Sequence, residues 1–182
     1  MSNRLSARDL ALISLGAALL AVSAWLTVPA AVPFTMQTFA VCLLAALLGR
    51  RRGLLCFLLY LLLGAVGLPV FAGFRSGAAV LLGPTGGYLL GFLPTVLCVG
   101  YAAERFAGKT AALALAFFLG MLLCYACGTA WFVVVYTHSS GAISVGRALG
   151  LCVIPFLLPD ALKGALAIVI ARRLRPVLVK MR

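Results

Sequence analysis

The chain has 182 residues, of which 65% are hydrophobic and only 10% are charged, and its mean hydropathy is +1.20. Soluble domains contain about 45–50% apolar and about 25% charged residues, so this composition excludes a soluble protein and indicates an integral membrane protein. The net charge of +12 does not indicate a nucleic-acid-binding protein. The basic residues stand between apolar stretches, where they are typical of topology signals.

Apolar segments punctuated by glycine, proline and arginine predict six membrane-spanning helices. In chain order they cover 9–28, 32–49, 53–72, 84–103, 110–137 and 154–171. A helix needs about 20 residues to cross the hydrocarbon core, so six spans leave little of the chain for a soluble domain. We therefore expect an all-α membrane protein in which residues 1–182 form one six-helix domain.

The distribution of basic residues predicts the orientation. With the N-terminus inside, the inner segments hold 12 lysines and arginines and the outer segments hold two. The inner segments are 1–8, 50–52, 104–109 and 172–182, and the outer segments are 29–31, 73–83 and 138–153. Lysine and arginine concentrate on the cytoplasmic side of membrane proteins. Both termini are therefore predicted to be cytoplasmic.

Two outer segments differ from ordinary solvated loops. The segment from Gly67 to Pro84 is strongly apolar, so we expect it to fold back onto the helices. The segment 138–153 predicts a short helix at the outer surface.

Asp160 and Lys163 are the most informative residues, because they interrupt the apolar run that forms the sixth span. The chain holds only three acids, and an ionisable residue at membrane depth costs about 2.5–3.5 kcal/mol, so it is by default a functional candidate. Their i, i+3 spacing places both on one helix face. They form either a private intrahelical ion pair or a polar ligand site. Pro155 and Pro159 each remove a backbone donor, which predicts a distorted helix with free carbonyls beside the pair.

Three further residues are candidates for the same site. Arg75, in the apolar outer loop, is either a snorkelling arginine at the headgroups or a lid over a ligand. Tyr88 follows the glycine-rich stretch 83–87, whose glycines also suit close helix packing. Gln37 lies near the outer start of the second span, where an interhelical hydrogen bond is the alternative to ligand binding.

Ala17 and Ala21 put small residues on one face of the first span. Such a face suits either internal packing or docking of another membrane subunit.

No pattern predicts catalysis. The sequence has no paired-carboxylate constellation, no H-E-x-x-H, no G-x-S-x-G and no Walker lysine. His138 is the only histidine, so a metal-ligand cluster is not expected. We predict that the protein is not an enzyme and holds no metal or cofactor.

Four stretches carry a resemblance to a known family. They are Pro33-Phe-Thr-Met-Gln-Thr-Phe39, Gly67-Leu-Pro-Val-Phe71, Gly83-Pro-Thr-Gly-Gly-Tyr-Leu-Leu-Gly-Phe92 and Pro159-Asp-Ala-Leu-Lys163. With them the chain resembles the BioY family, the biotin-specific S components of energy-coupling factor (ECF) transporters. The resemblance covers nearly the whole chain, and the Gly-Pro-Thr-Gly-Gly-Tyr stretch is its most specific part.

The resemblance implies an S-component fold that captures biotin from outside, with the loop between the third and fourth helices over the pocket. It implies three partners, a transmembrane coupling subunit and two cytoplasmic ATPases, and a multi-pass location in the bacterial inner membrane. The ligand contacts would fall on Asp160, Lys163, Arg75, Tyr88 and Gln37. The docking surface would include Ala17 and Ala21. The stretch Phe74-Arg75-Ser76 departs from the glycine- and asparagine-rich loops of some members.

Two transport alternatives remain open at the level of sequence. One is an S component for another vitamin. The other is a stand-alone carrier in which Asp160 relays protons.

Overall fold

The helices of the computed structural model, which describes residues 5–30 and 32–180, follow the apolar segments of the sequence. Arg4 and Arg182, two of the basic residues behind the topology prediction, lie outside these ranges. The elements are α1 (Ala7–Trp25), β1 (Thr27–Val28), β2 (Phe34–Thr35), α2 (Gln37–Ala65), a 3-10 turn (Ala72–Phe74), α3 (Ala78–Leu82), α4 (Gly86–Arg105), α5 (Thr110–Ser140), α6 (Val145–Cys152) and α7 (Ile154–Lys180). The two short strands pair antiparallel between α1 and α2.

Helix α2 occupies the centre of the bundle. It packs against α1, α4 and α7, and α4 packs along α5, whereas α5 and α7 meet at few positions. By length and composition, four stretches of the described chain are able to cross a bilayer as continuous helices: α1, α4, α5 and the α6–α7 stretch Val145–Val177. The two halves of α2 overlap the second and third predicted spans of this all-α membrane protein.

Gly49 divides α2 into those two halves. Its backbone angles, φ 80° and ψ −177°, are not helical, and this region is accessible essentially only to glycine. A Cβ on Gly53 would lie 3.2 Å from the α-carbon of Ala45, whereas eight residues span about 12 Å along a straight helix. The chain therefore turns back on itself at Gly49, and the second and third predicted spans are separate.

The two acids outside α7 stabilise the predicted inner ends of helices. The Ser6 hydroxyl accepts from the Asp9 backbone N–H at 3.2 Å, and the Asp9 carboxylate accepts in return from the Ser6 N–H at 3.1 Å. Asp9 also pairs with Arg52 at 2.7 Å, which links α1 to α2. Glu104 of α4 accepts from the Arg50 backbone N–H at 2.7 Å, directly beside the Gly49 turn.

The apolar outer loop folds back onto the helices, as the sequence predicts. Phe71 is 1% exposed and stacks edge-on with Tyr60 of α2 at 5.6 Å between ring centroids. Gly64 makes this contact possible, because a Cβ there would lie 2.1 Å from the Phe71 ring. The short outer helix is also present, as α6, although α5 extends through the first residues of the predicted segment.

The two prolines of the last span do not act alike. Helix α7 begins at Ile154, so Pro155 lies in its first turn, where a backbone N–H has no helical partner to lose. Pro155 therefore breaks no hydrogen bond of α7, and the carbonyl near Leu151 that it is predicted to leave free belongs to α6. Pro159 does lie inside α7, where the missing N–H leaves one helical hydrogen bond unmade beside Asp160.

Ala17 and Ala21 are only 2% and 6% exposed, because α1 turns this face toward the core and packs on α2. Beside them, a Cβ on Gly16 would lie 2.5 Å from the Cys56 sulfur of α2. The predicted docking surface is therefore corrected: these side chains pack internally and present no surface to a partner in this structure.

We expect Ala17→Leu and Ala21→Leu to destabilise the protein by about 1–3 kcal/mol each, since extra methyl groups overpack a filled contact. Ala18→Leu is the matched control, because Ala18 is exposed on the same helix. Thermal unfolding in detergent measures the difference. Wild-type stability of the two buried variants, together with impaired partner binding, would restore the docking interpretation.

Candidate binding site

A cavity opens between α2, α4, α5 and α7 at the end of the bundle that carries the paired strands and the apolar loop. Its space measures about 710 Å³, including the part that opens to solvent. All five residues predicted to bind substrate line it: Gln37, Arg75, Tyr88, Asp160 and Lys163. Most of the remaining wall is apolar and includes Phe71, Leu89, Phe92, Met121 and Phe156. Ligand sites of this kind combine an apolar wall with a few converging polar groups.

Asp160 and Lys163 lie together inside the cavity wall. They are 5% and 7% exposed, and the Lys163 Nζ atom lies 3.0 Å from Asp160 Oδ1. The intrahelical ion pair that the spacing allows is therefore formed.

The pair is also bound to two other parts of the chain. The Tyr125 hydroxyl of α5 donates to Asp160 Oδ2 at 2.8 Å. Lys163 Nζ donates to the backbone carbonyl of Thr35 at 2.6 Å and lies 3.7 Å from the centroid of the Phe34 ring. An ion pair private to α7 thus describes only part of the arrangement.

These contacts explain how two charges are tolerated at this depth. Burying an ion costs several kcal/mol after relaxation, and the mutual attraction of a pair offsets that cost only when the remaining donors and acceptors find partners. Tyr125 satisfies the second oxygen of Asp160, and the Thr35 carbonyl and Phe34 ring accept the ammonium of Lys163. The site is neutral overall, yet it presents one strong acceptor and one strong donor.

Gln37 extends the polar side of the cavity. Its Nε2 donates to the Tyr60 hydroxyl at 2.9 Å, and the Thr35 hydroxyl donates to its Oε1 at 3.3 Å. Tyr60 belongs to the other half of α2, so the hydrogen bond between spans that the sequence left open is present. Gln37 also lines the cavity, which leaves its predicted ligand role compatible with that bond.

Tyr88 is placed by close packing of α4 on α5. The Tyr88 ring packs so closely on Gly128 that a Cβ on this glycine would lie 2.2 Å from the ring. In the same way, a Cβ on Gly87 would lie 2.2 Å from Trp131. The Tyr88 and Thr129 hydroxyls share a hydrogen bond of 2.9 Å. The glycine-rich stretch therefore permits the helix contact, and that contact holds the tyrosine at the cavity wall.

Arg75 stands at the mouth of the cavity and is exposed. Its Nε donates to the Ala72 carbonyl at 3.3 Å, while its backbone carbonyl accepts from the Phe71 N–H at 3.0 Å. The neighbouring Phe74 stacks on Trp25 at 5.1 Å between centroids. The loop is thus anchored at Phe74 and at the backbone of Arg75, and the guanidinium remains accessible to a ligand entering the cavity.

Sequence reasoning missed Tyr125, Thr35 and Thr129. Tyr125 was visible as a polar aromatic in the middle of the fifth span, but its distance of 35 positions from Asp160 concealed the contact. Thr35 acts through its backbone carbonyl, for which no side-chain pattern exists.

The site is arranged for recognition. A carboxylate acceptor, an ammonium donor and hydroxyl groups face one apolar space, so a ligand with both N–H and C=O groups on a compact apolar body matches it. A ligand without those groups would shield these polar groups from water without hydrogen-bonding to them, so the site favours ligands that carry both N–H and C=O groups. Among the described residues, no group of three or more His, Cys, Asp or Glu side chains is placed to hold a metal ion.

Comparisons with known proteins agree with this picture. A family model described as the BioY family matches residues 1–180. A protein of Thermotoga maritima named biotin transporter BioY is 42% identical over 160 residues, which cover 87% of this chain and 90% of the relative. A protein of Pyrococcus horikoshii named probable biotin transporter BioY is 37% identical over 172 residues, covering 94% and 98% of the two chains. These names describe transporters and not enzymes, as the sequence predicts.

A solved structure is similar over almost the whole fold. It is the crystal structure of the S-component for biotin from an ECF-type ABC transporter, and it superposes with a TM-score of 0.83 at 26% identity. The match covers 97% of this chain and 95% of that one.

Proposed function

The chain belongs to the BioY family, and we propose that it is the S component that captures biotin from outside and delivers it through an ATP-driven ECF transporter. The observation that carries the proposal is the buried Asp160–Lys163 pair, which faces a largely apolar cavity. The names of the relatives and of the similar structure support biotin as the ligand.

The chemistry of biotin fits the polar groups of the cavity. Its ureido ring has two N–H donors and one carbonyl acceptor, and Asp160 accepts from one N–H while Lys163 donates to the carbonyl. The thiophane ring and the valeryl chain then lie against the apolar wall that includes Phe92 and Phe156. Biotin is the transported ligand in this proposal, and no further cofactor takes part.

The partners are a transmembrane coupling subunit and two cytoplasmic ATPases, in the inner membrane of a bacterial cell. Support comes from the similar S-component structure. The basic inner segments support cytoplasmic termini, so that the cavity faces outward.

Mass spectrometry of small molecules that co-purify with the detergent-solubilised protein tests the ligand directly. We expect biotin, and we expect a binding panel to rank biotin far above thiamine and riboflavin. Preference for either of the other vitamins would reject biotin and favour the alternative S component.

Uptake into liposomes tests the energy source. The protein reconstituted with coupling subunit and ATPases should accumulate biotin when ATP is supplied. Accumulation by the chain alone, driven by a pH gradient, would instead support the proton-coupled carrier.

Arg75 is expected to meet the carboxylate of biotin at the cavity mouth. Arg75→Ala should weaken biotin binding about tenfold, the scale of one charge-assisted contact that is partly exposed. Binding of biotin methyl ester, which lacks that charge, should change little. Arg147→Ala, at another exposed outer arginine, is the matched control. Equal losses for biotin and its ester would mean that Arg75 acts on the loop and not on the carboxylate.

A further inference from the structure

Tyr125 begins a chain of hydrogen bonds that crosses the cavity wall. Its hydroxyl donates to Asp160 Oδ2 at 2.8 Å, and Lys163 Nζ donates to the other carboxylate oxygen at 3.0 Å. The same ammonium donates to the Thr35 carbonyl at 2.6 Å. Both oxygens of Asp160 are therefore held from different directions, one from α5 and one from α7.

Tyr125 also lies on the side of this carboxylate that faces the outside of the bundle. It lines the central cavity and, in addition, two apolar grooves on the outside of the bundle between α5, α6 and α7. Leu157 contributes to both grooves and is half exposed. Asp160 also lines the groove between α5 and α7. Because these two helices meet at few positions, the Tyr125 hydroxyl partners the carboxylate at a gap between them.

We propose that Tyr125 is a positioning residue for biotin recognition, which acts by holding the Asp160 carboxylate in its ligand-accepting orientation. The inference rests on the proposed function. A carboxylate that is hydrogen-bonded through a single oxygen can rotate about its side-chain bonds. Fixing its orientation when the ligand binds then lowers the affinity. With Tyr125 on Oδ2 and Lys163 on Oδ1, that ordering is complete before the ligand enters.

Tyr125→Phe removes the hydroxyl and keeps the ring. We expect the Kd for biotin to rise about tenfold, the scale of one hydrogen bond to a charged group. Tyr136→Phe is the matched control, because Tyr136 is another α5 tyrosine whose ring stacks on Phe132 outside this cavity. An unchanged Kd in a folded Tyr125→Phe protein would overturn the inference.

A double-mutant cycle separates action through Asp160 from simple packing. In an Asp160→Ala background, which has no side-chain acceptor, adding Tyr125→Phe should change the Kd at most about twofold, because coupled residues are not additive. Equal losses in both backgrounds would assign Tyr125 a packing role and reject the inference. Unfolding of the same four proteins in detergent provides a second cycle if biotin binding to Asp160→Ala is too weak to measure.

If Tyr125→Phe does not fold, Tyr125→Met takes its place, because methionine also lacks the hydrogen-bond donor and fills irregular gaps.

Failure of the wild-type protein to bind biotin would reject the proposed function, and the unfolding cycle would still test the Tyr125–Asp160 coupling. Wild-type binding with an additive cycle would reject only the role of Tyr125.

Discussion

Replacing Asp160 with asparagine or Lys163 with alanine is expected to raise the Kd for biotin at least about thirtyfold, since truncating one partner of a buried charge pair costs about 2–5 kcal/mol or more. Each change removes one group that meets the ureido ring and leaves the other charge without its 3.0 Å partner. Equilibrium binding of labelled biotin in detergent measures the effect. Lys109→Ala, at an exposed inner lysine, is the control and should bind normally.

A charge-free double variant decides between a ligand site and an ion pair that only stabilises the fold. Exchanging a buried ion pair for uncharged side chains of similar size is often neutral for stability. Asp160→Asn combined with Lys163→Met should therefore unfold near the wild-type temperature and still fail to bind biotin. Wild-type affinity for biotin in this variant, or in both single variants, would show that the pair does not bind the ligand. It would then be the intrahelical ion pair that is the alternative left open by the sequence.

Among the alanine substitutions at Gly49, Gly108 and Gly146, we expect Gly49→Ala to lower the free energy of unfolding the most. The backbone strain alone costs about 1–3 kcal/mol at a glycine-only conformation. The new Cβ would also lie 2.4 Å from Glu104 Oε1, the atom that accepts the Arg50 N–H. Loss of that hydrogen bond, which is exposed to solvent, adds about 0.5–1.5 kcal/mol. The predicted outcome is poor yield of folded protein and a markedly lower unfolding temperature.

Two other glycines separate the contributions to this loss. Gly108 has a φ of 85° but nothing within 4 Å of an added Cβ, so Gly108→Ala reports backbone strain alone. Gly146 has neither a positive φ nor a close neighbour, so Gly146→Ala should be nearly neutral. We expect the order Gly49, Gly108, Gly146 from most to least destabilised. A Gly49 variant no weaker than the Gly108 variant would show that the Glu104 contact contributes nothing.

The sequence made predictable those residues of the candidate site whose side chains are energetically costly to bury. Asp160 and Lys163 are conspicuous because a charge in an apolar run carries a transfer penalty that any reader of the sequence can see. Tyr125 carries no such penalty, since an aromatic side chain with one hydroxyl is acceptable anywhere in a span. Its role depends on which way α5 is turned, and α5 is apolar on all sides.

The first helix shows the same limit of sequence-based prediction, here for small residues. Small residues suit an internal contact as well as an external one, so the pattern of Ala17 and Ala21 left both uses open. Contacts with α2, including that of Gly16 with Cys56, decided that they face inward. Pro155 is similar, because its effect depended on whether α7 begins before or after it.

Membrane insertion, the number of spans and the two unusual charges were determined by the sequence alone. They follow from the hydropathy of local segments, since the free energy of entering the bilayer is summed over about 20 neighbouring residues. The partners of those charges were decided only by the tertiary structure. Lys163 meets the carbonyl of Thr35 across 128 positions of sequence, and Asp160 meets Tyr125 across 35. Such contacts depend on helix rotation and on the Gly49 reversal, which packing between distant segments sets and local hydropathy does not encode.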